Sequence, residues 1–425
     1  VFIDVFQITN STQIIVVKNE INLFNISYFR FMDRIKFIDL FAGIGGFHEA
    51  LKSFNGECVF ASEIDEDAAI VYAENHGVIP KGDIKKINER DIPAFDLLCA
   101  GFPCQPFSKG GMQEGFGDKT RGTLFFDICR ILKLHKPKYV FLENVANLLS
   151  HDEGRTYKVI CEELDKLGYI LPKKPLQLSP HFLGIPVLRP RIYIPGVRKD
   201  LTNKKELDFD KLIKEDKSIT KNISIYSIVD KTRKSRQYYI SDYEKRVLDM
   251  WNRFYLNIDL KVIGFPIWYD EFQGEYDLLH LPKWKQGFIL KNRDLYRRNK
   301  SFIDSWILKY SNLDWVVNTH RKFEWQAGTD CENIYECLIQ FRPSGIRAKR
   351  PDKFSTLVAM NQPQIIGKYR RRLTPDEAKR LQSLPEEFKL HPKNNIALKQ
   401  LGNGVNVKVL ETIMAQFMFL DNETS

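Results

Sequence analysis

The sequence predicts an α/β protein: a doubly wound, mixed but mostly parallel sheet, followed by a second, smaller and irregular domain. Three observations carry that expectation. Between Ile35 and about Arg198, short apolar runs alternate with helical patterns, the rhythm of parallel strands joined by crossover helices. A glycine-rich turn follows the first of those runs. From about 199 to 340 the rhythm disappears, and basic, aromatic and asparagine-containing segments follow one another without a clear period. At 425 residues, 43% of them hydrophobic and 28% charged, the chain has enough length for one large core and a second unit.

Residues 1–31 alternate apolar and polar positions without a motif, and Met32 stands just before the first clear strand. The native product is therefore expected to start at Met32, with residues 1–32 an extension. No basic segment followed by an apolar stretch opens the chain, so no secretory signal is expected, and no run reaches the ~20 apolar residues that cross a bilayer. Seven cysteines, an odd number without a CxxC pair, argue against a disulfide framework or a zinc site and suit a reducing cytosol.

The first predicted strand, 37–41, runs into Phe41-Ala42-Gly43-Ile44-Gly45-Gly46-Phe47. Glycines between a strand and a helix let the backbone approach a ligand closely. A dinucleotide fingerprint would place a third glycine at position 48, where this chain has His48. Asp39, just before the loop, can reach the turn's amides or a ligand's amino group. The second strand, 58–62, ends at Glu63, twenty residues beyond Gly43, where a carboxylate can accept from both ribose hydroxyls. Asp83, in Gly82-Asp83-Ile84, is placed for the exocyclic amine of adenine. Each feature alone fits a plain strand-end turn. Together they describe a nucleoside pocket without a pyrophosphate clamp, which suits S-adenosylmethionine better than NAD.

The third strand, 97–100, leads into Cys99-Ala-Gly-Phe-Pro103-Cys104-Gln-Pro106-Phe-Ser108. A cysteine between two prolines, just past a strand's carboxyl end, is set to project into a cleft as a nucleophile. Residues 109–122 are glycine-rich with few apolar anchors and read as a lid, with Gln113 a candidate to fill the gap left by a displaced base. Helices follow at 123–134 and 156–166, with a strand at 139–142 that ends in Glu143-Asn144-Val145 and another at 191–194. Near the C-terminus, Thr374 and Pro375 mark a helix start as N-cap and first helical residue.

The Phe37–Phe47 segment, Pro103-Cys104-Gln105, Glu143-Asn144-Val145, Arg189-Pro190-Arg191 and Gln400-Leu401-Gly402-Asn403-Gly404-Val405 together resemble the DNA (cytosine-5)-methyltransferase family, of the prokaryotic restriction-modification type. The resemblance covers about residues 35–198 and 342–409. It implies the S-adenosylmethionine-dependent methyltransferase fold, with the cofactor held at Phe41, Ile44, Gly46, Glu63, Asp83, Pro103, Leu124, Asn403 and Gly404. It also implies that Cys104 adds to carbon 6 of cytosine, so that carbon 5 becomes nucleophilic. Glu143 then serves as the acid near ring nitrogen 3, helped by an apolar setting that raises a carboxyl pKa. Arg189 or Arg191 would grip the cytosine carbonyl or a phosphate and help hold Cys104 as thiolate. The target base would rotate out of the duplex into the pocket.

Three departures from the family pattern stand out. Gly404 replaces a serine or alanine, Val187-Leu188 replace Gln-Lys before the arginines, and Ser355 replaces a proline in the ninth motif, while the middle region is unmatched, as the family pattern implies. That middle region is expected to choose the DNA target. The implied domains are 33–198 for catalysis and cofactor, 199–398 for target recognition and hinge, and 399–425 returning to the catalytic domain. Two basic-aromatic clusters, Lys231–Tyr239 and Lys291–Lys300, are candidates for DNA contact, with a solvated surface the alternative. The net charge of +10 is concentrated late, with 15 Lys+Arg against 8 Asp+Glu in residues 341–425, which suits a polyanion. The expected partner is double-stranded DNA, with a cognate restriction endonuclease acting on the same site, no metal and no membrane, in a cytoplasmic, nucleoid-associated monomer. An RNA cytosine methyltransferase and a non-catalytic DNA-binding protein remain the rivals. Amino-group methylation is disfavoured, since no Asp/Asn/Ser-Pro-Pro-aromatic tetrapeptide occurs.

Overall fold

A computed structural model describes residues 4–7, 13–16, 34–103, 124–213, 217–232, 235–260, 263–357 and 363–419. Two compact units result. The first takes Val1–Gly184, Arg189–Lys221 and Lys379–Ser425; the second takes Ile185–Leu188 and Asn222–Ala378. Residues 199–221 and 379–398 thus fold with the first unit, inside the limits that the sequence reading set at 199 and 398. The lid at 109–122, with Gln113, lies outside the described residues.

In chain order, β1 (Asp4–Gln7) and β2 (Gln13–Val16) pair antiparallel as a hairpin. The main sheet then assembles from β3 (Ile35–Leu40), β4 (Gly56–Ser62), β5 (Leu97–Gly101), β6 (Tyr139–Val145), β7 (Tyr169–Ile170), β8 (Leu176–Leu178) and β10 (Arg191–Arg198). Between the last two, β9 (Val187–Leu188) belongs to the second unit. The order is β4-β3-β5-β6-β10-β7, with β8 also on β10. β10 pairs antiparallel with each of its neighbours, whereas β4, β3, β5 and β6 run parallel. β5 (Leu-Leu-Cys-Ala-Gly) is apolar throughout because both its faces are covered, as parallel strands require. The helices α1 (Gly46–Lys52), α2 (Glu66–His76), α3 (Leu124–His135) and α4 (Arg155–Lys166) connect the strands. α3 buries Phe125, Ile128, Cys129, Ile131 and Leu132, a single helical face.

The sequence expectations for these strands hold, with shifted ends. The first stops at Leu40 rather than Phe41, because Phe41 takes φ +55, outside any strand conformation. β3 has β4 on one side and β5 on the other, so the winding direction reverses beside it. In open α/β sheets the crevice for a ligand lies there, off the carboxyl ends of the strands.

The second unit is more regular than its sequence suggests. α5 (Asp242–Asn257) opens on a capping box, Ser241 with Glu244, and buries Val247, Leu248, Met250, Trp251, Phe254 and Tyr255. β11 (Ile267–Trp268) follows, then α6 (Lys283–Arg298) and α7 (Lys300–Lys309). Then come β12 (Lys322–Gln326), β13 (Leu338–Arg342), β14 (Gly345–Lys349), β15 (Phe354–Ser355), β16 (Ile365–Ile366) and β17 (Arg371–Arg372). Six of these form one sheet, ordered β11-β12-β14-β13-β16-β17, while β15 pairs with β9. Its core centres on Trp251, stacked on Phe323 at 5.0 Å, with Trp306 donating to the Met250 carbonyl at 3.0 Å.

α8 (Pro375–Leu381) starts as expected: Thr374 and Glu377 exchange bonds, the Glu377 amide donating to Thr374 Oγ1 at 3.3 Å and the Thr374 amide to Glu377 Oε2 at 2.9 Å. Glu377 is also fully buried against Arg371, whose Nη2 lies 2.6 Å from its Oε1. The pair clamps Asp230: its carbonyl accepts from Arg371 at 2.7 Å and its amide donates to Glu377 at 2.8 Å. Breaking such a pair leaves a buried charge uncompensated. Glu377→Gln is therefore expected to lower unfolding stability by about 3–5 kcal/mol. All six tryptophans lie within the second unit (Trp251, Trp268, Trp284, Trp306, Trp315 and Trp325), so urea unfolding followed by their fluorescence reads this unit directly. A loss under about 1 kcal/mol would remove the clamp argument. The chain ends with α9 (Asn394–Asn403) and α10 (Val407–Phe419), and α10 packs on α1, where Ser53 donates to Glu411 at 2.8 Å.

Candidate active site

The loop after β3 is shaped by positive φ at Phe41 (+55), Gly43 (+55) and Gly45 (+91). A Cβ on Gly43 would meet nothing within 4 Å, so that glycine borders open space. A Cβ on Gly46 would lie 2.5 Å from Val405 Cγ2. The last motif therefore seats directly on the glycine loop, and Gly46 serves that contact through its missing side chain. Ile44 is buried.

Glu63 closes the loop from β4: Gly43 N donates to its Oε2 at 2.7 Å and Asp65 N to its Oε1 at 2.8 Å. Each oxygen keeps a second lone pair for a ribose hydroxyl. Asp83 caps a short turn, accepting from Lys85 N at 3.0 Å. Asp39 stands near the end of β3. It is wholly enclosed, and burial, then the nearby Glu63 charge, holds its carboxyl well above the usual range. The His48 amide and Tyr72 offset part of that rise.

Around the reacting position, β5 and β6 lie in parallel register with Gly101 opposite Glu143. Glu143 Oε2 would stand 3.6 Å from a Cβ on Gly101, with Phe47 and Val405 next nearest at 3.9 and 4.0 Å. Asn144 donates to the Phe102 carbonyl at 2.9 Å, which fixes the chain leading to exposed Pro103. Cys104 itself lies outside the described residues. Glu143 is 7% exposed and Arg191 Nε sits 3.1 Å from its Oε1. Burial raises the Glu143 pKa, while Arg191 and then Arg189 pull it down; burial wins, and the net shift is upward.

The two arginines separate in role. Arg189 is buried, and its Nη2 donates to the Gly404 carbonyl at 2.6 Å while its amide donates to Ser179 Oγ at 2.9 Å. Burial and then Arg191 lower its pKa to about 10, still charged at neutral pH. Its guanidinium thus anchors the C-terminal motif, and Arg191 is the one that reaches the carboxylate. Gly404 sits at φ −64, and a Cβ there would touch only Gln400 and Leu401 carbonyls at 3.4 and 3.7 Å. The contact that position 404 makes here is through its carbonyl, which accepts from Arg189. Leu124 opens α3, and Asn403 ends α9, exposed.

A family model described as C-5 cytosine-specific DNA methylase matches residues 35–418. The chain belongs to that family. It is 31% identical to the Type II methyltransferase M.AluI of Cellulosimicrobium cellulans, covering 91% of this chain and 92% of that protein. It is 35% identical to M.BanI of Aneurinibacillus aneurinilyticus (90% and 95% covered) and 32% to M.HhaI of Haemophilus parahaemolyticus (89% and 93%). Among solved structures, the S. pombe Dnmt2 methyltransferase matches with a TM-score of 0.51 at 18% identity, covering 91% of this chain and 99% of that one, a likeness of fold. The protein is a DNA cytosine carbon-5 methyltransferase of restriction-modification type, and its methyl donor is S-adenosylmethionine.

Sequence reasoning passed over several residues that shape the candidate site. Val405, which seats the last motif on Gly46, carries no chemical signal of its own. Asn144 was legible only as part of Glu-Asn-Val. Ser179, which holds the Arg189 amide, sits ten residues away in an unremarkable turn. In the ninth-motif segment, Ser355 N donates to Gln364 Oε1 at 2.7 Å, a bond the usual proline could not make.

The two basic clusters differ. In Lys291–Lys300, Arg298 pairs with Asp294 at 3.2 Å and Asp259 at 3.4 Å, Arg297 with Asp294 at 3.7 Å, and Lys300 with Asp304 at 2.5 Å. Arg293 lies 4.8 Å from the Tyr276 ring. Much of that charge is met within the unit. Lys231 and Arg236 of the other cluster are exposed, while residues 233–234 lie outside the described set. Among the described residues no helix is long and apolar enough to cross a membrane, and no group of three or more His, Cys, Asp or Glu is placed to hold a metal ion.

Proposed function

We propose that this methyltransferase works through a covalent bond between Cys104 and carbon 6 of a cytosine turned out of duplex DNA. The placement of Glu143 carries the reading: a buried carboxyl, biased toward its protonated form, at the strand end beside the one that leads to Cys104. Cytosine carbon 5 is a weak nucleophile. Addition of the Cys104 thiolate to carbon 6 moves an electron pair toward ring nitrogen 3, where Glu143 delivers a proton. Carbon 5, now enamine-like, would take the methyl that S-adenosylmethionine supplies when bound, the electron pair of the broken methyl–sulfur bond staying on the cofactor's sulfur. Nitrogen 3 then returns its proton to Glu143, a base or water takes the carbon 5 proton, and the electron pair left behind reforms the carbon 5–carbon 6 double bond and expels Cys104 as thiolate. Arg191 orients Glu143 and offers a cation to the cytosine carbonyl.

The cofactor fits the residues present. Gly43 borders free space, Glu63 retains lone pairs for a ribose, and Asp83, Phe41, Ile44, Gly46, Pro103, Leu124, Asn403 and Gly404 would complete its cradle. No geometry in this loop calls for a pyrophosphate. The target cytosine cannot be reached within a stacked helix, so it must leave the duplex. The second unit would select the sequence, and methylation would protect host DNA from a cognate endonuclease in the cytoplasm, the enzyme acting as a monomer at the nucleoid.

Incubation with a duplex bearing 5-fluorocytosine tests this directly. Fluorine at carbon 5 cannot leave as a proton, so the sulfur–carbon bond persists. A denaturation-resistant protein–DNA adduct, dependent on S-adenosylmethionine, is expected on genomic-type duplexes and not on tRNA. Methylation of tRNA alone, or DNA retention without any adduct, would overturn the proposal. Bisulfite sequencing of DNA from expressing cells identifies the target sequence.

A further inference from the structure

Behind the glycine loop lies a buried polar cluster that the proposed chemistry does not use. His76, at the end of α2, has a fully buried side chain. Its ring stacks on His48 of α1 at 4.1 Å and 14°, and His48 Nδ1 lies 2.8 Å from the Tyr72 hydroxyl. Phe37 meets His48 edge-on at 5.3 Å, and Phe388 tilts over His76 at 5.9 Å. His76 touches the loop twice. Its Nε2 lies 3.4 Å from the Ile44 carbonyl. A Cβ on Gly45 would stand 2.2 Å from that nitrogen, so the imidazole occupies the space a side chain at 45 would fill.

The chemistry of the pair matters. Burial, with Lys52 close by, drives His48 down to about 4; burial, then His48, then Lys52, drives His76 down to about 3. Glu49, 3.9 Å from His76 Nδ1, does not reverse this. The remaining titratable neighbours of the cluster are Asp39, Cys58 and Cys99, each of whose pKa is raised, chiefly by burial. Both imidazoles are therefore neutral through the physiological range. A neutral His76 with its proton on Nε2 donates to the Ile44 carbonyl. Nδ1 then has no hydrogen-bond partner among the described residues. Burying an unpartnered ring nitrogen carries a cost that an apolar side chain would not.

We infer that His76 is a positioning residue for the cofactor: a post that fixes the Ile44–Gly45 backbone in its ligand-accepting shape. The inference rests on the reading of this loop as the S-adenosylmethionine site. It acts on cofactor affinity, not on DNA or on the methyl-transfer step.

His76→Phe separates the loop contact from ring packing. The expected result is a cofactor KM about 5- to 10-fold higher, the effect of one lost hydrogen bond, with DNA KM and kcat at saturating cofactor within about 2-fold and a melting temperature near wild type. His76→Gln, which keeps a donor within reach of Ile44, should restore the cofactor KM to within about 3-fold even if stability drops. An unchanged cofactor KM in His76→Phe overturns the inference. So does an equal rise in both KM values. If His76→Phe does not fold, His76→Gln decides: a cofactor KM more than about 10-fold above wild type refutes a donor role. Calorimetric binding of S-adenosylmethionine to the unaltered chain is measured first. Failure there sinks the cofactor-site reading; success there with an indifferent His76→Phe sinks only the role of His76.

Discussion

Cys104→Ala is expected to abolish methyl transfer, with a loss of roughly 10⁴-fold or more, the scale on which removing a covalent nucleophile acts. Alanine offers no lone pair to carbon 6, and in the proposed mechanism carbon 5 attacks a sulfonium methyl only after that addition. The variant should still bind cofactor and duplex, because the surrounding frame is independent of the thiol. Gly101 is held in register with Glu143, and Asn144 holds the Phe102 carbonyl at 2.9 Å. The measurements are transfer of labelled methyl groups to duplex DNA, adduct formation with 5-fluorocytosine, and cofactor binding. Loss of the first two with the third intact is the expected pattern. Residual turnover above about 1% of wild type would show that another group carries the addition.

The first unit was legible because its signals are local and chemical. Strand, glycine turn and acid recur in a fixed order, and parallel strands covered on both faces appear as unbroken apolar runs such as Leu97–Ala100. The second unit was not. Its sheet joins two short hairpins, β13–β14 and β16–β17, to pairings distant in sequence, with β11 bound to β12 across more than fifty residues, and several of its strands are only two residues long. No period survives in so short a strand. α5 is different: the capping box Ser241–Glu244 and the apolar spacing Val247, Met250/Trp251 and Phe254 were available in the sequence, masked by the density of charge around them. At the site itself, the residue types announced themselves but the division of labour did not. Arg189 and Arg191 are indistinguishable as a sequence pair. Only the fold turns one toward the Gly404 carbonyl and the other toward Glu143.

Glu143→Gln should lower kcat on duplex DNA by about 10²–10⁴-fold, the usual share of a positioned acid. Glutamine keeps the shape and an N–H donor, so ring binding survives, but it has no proton to transfer. The pH profile carries the sharper test. In the proposed mechanism the protonated carboxyl is the active form, and its pKa is raised by burial against the pull of Arg191 and Arg189. Activity therefore declines as pH rises through that raised value, giving an alkaline limb. Glu143→Gln should lose the limb along with the rate. Arg191→Met removes the larger of the two opposing charges, so it should move the limb to higher pH while also weakening kcat. A limb that stays in place in Arg191→Met, or a Glu143→Gln enzyme within about 3-fold of wild type, would mean that protonation at ring nitrogen 3 comes from another source.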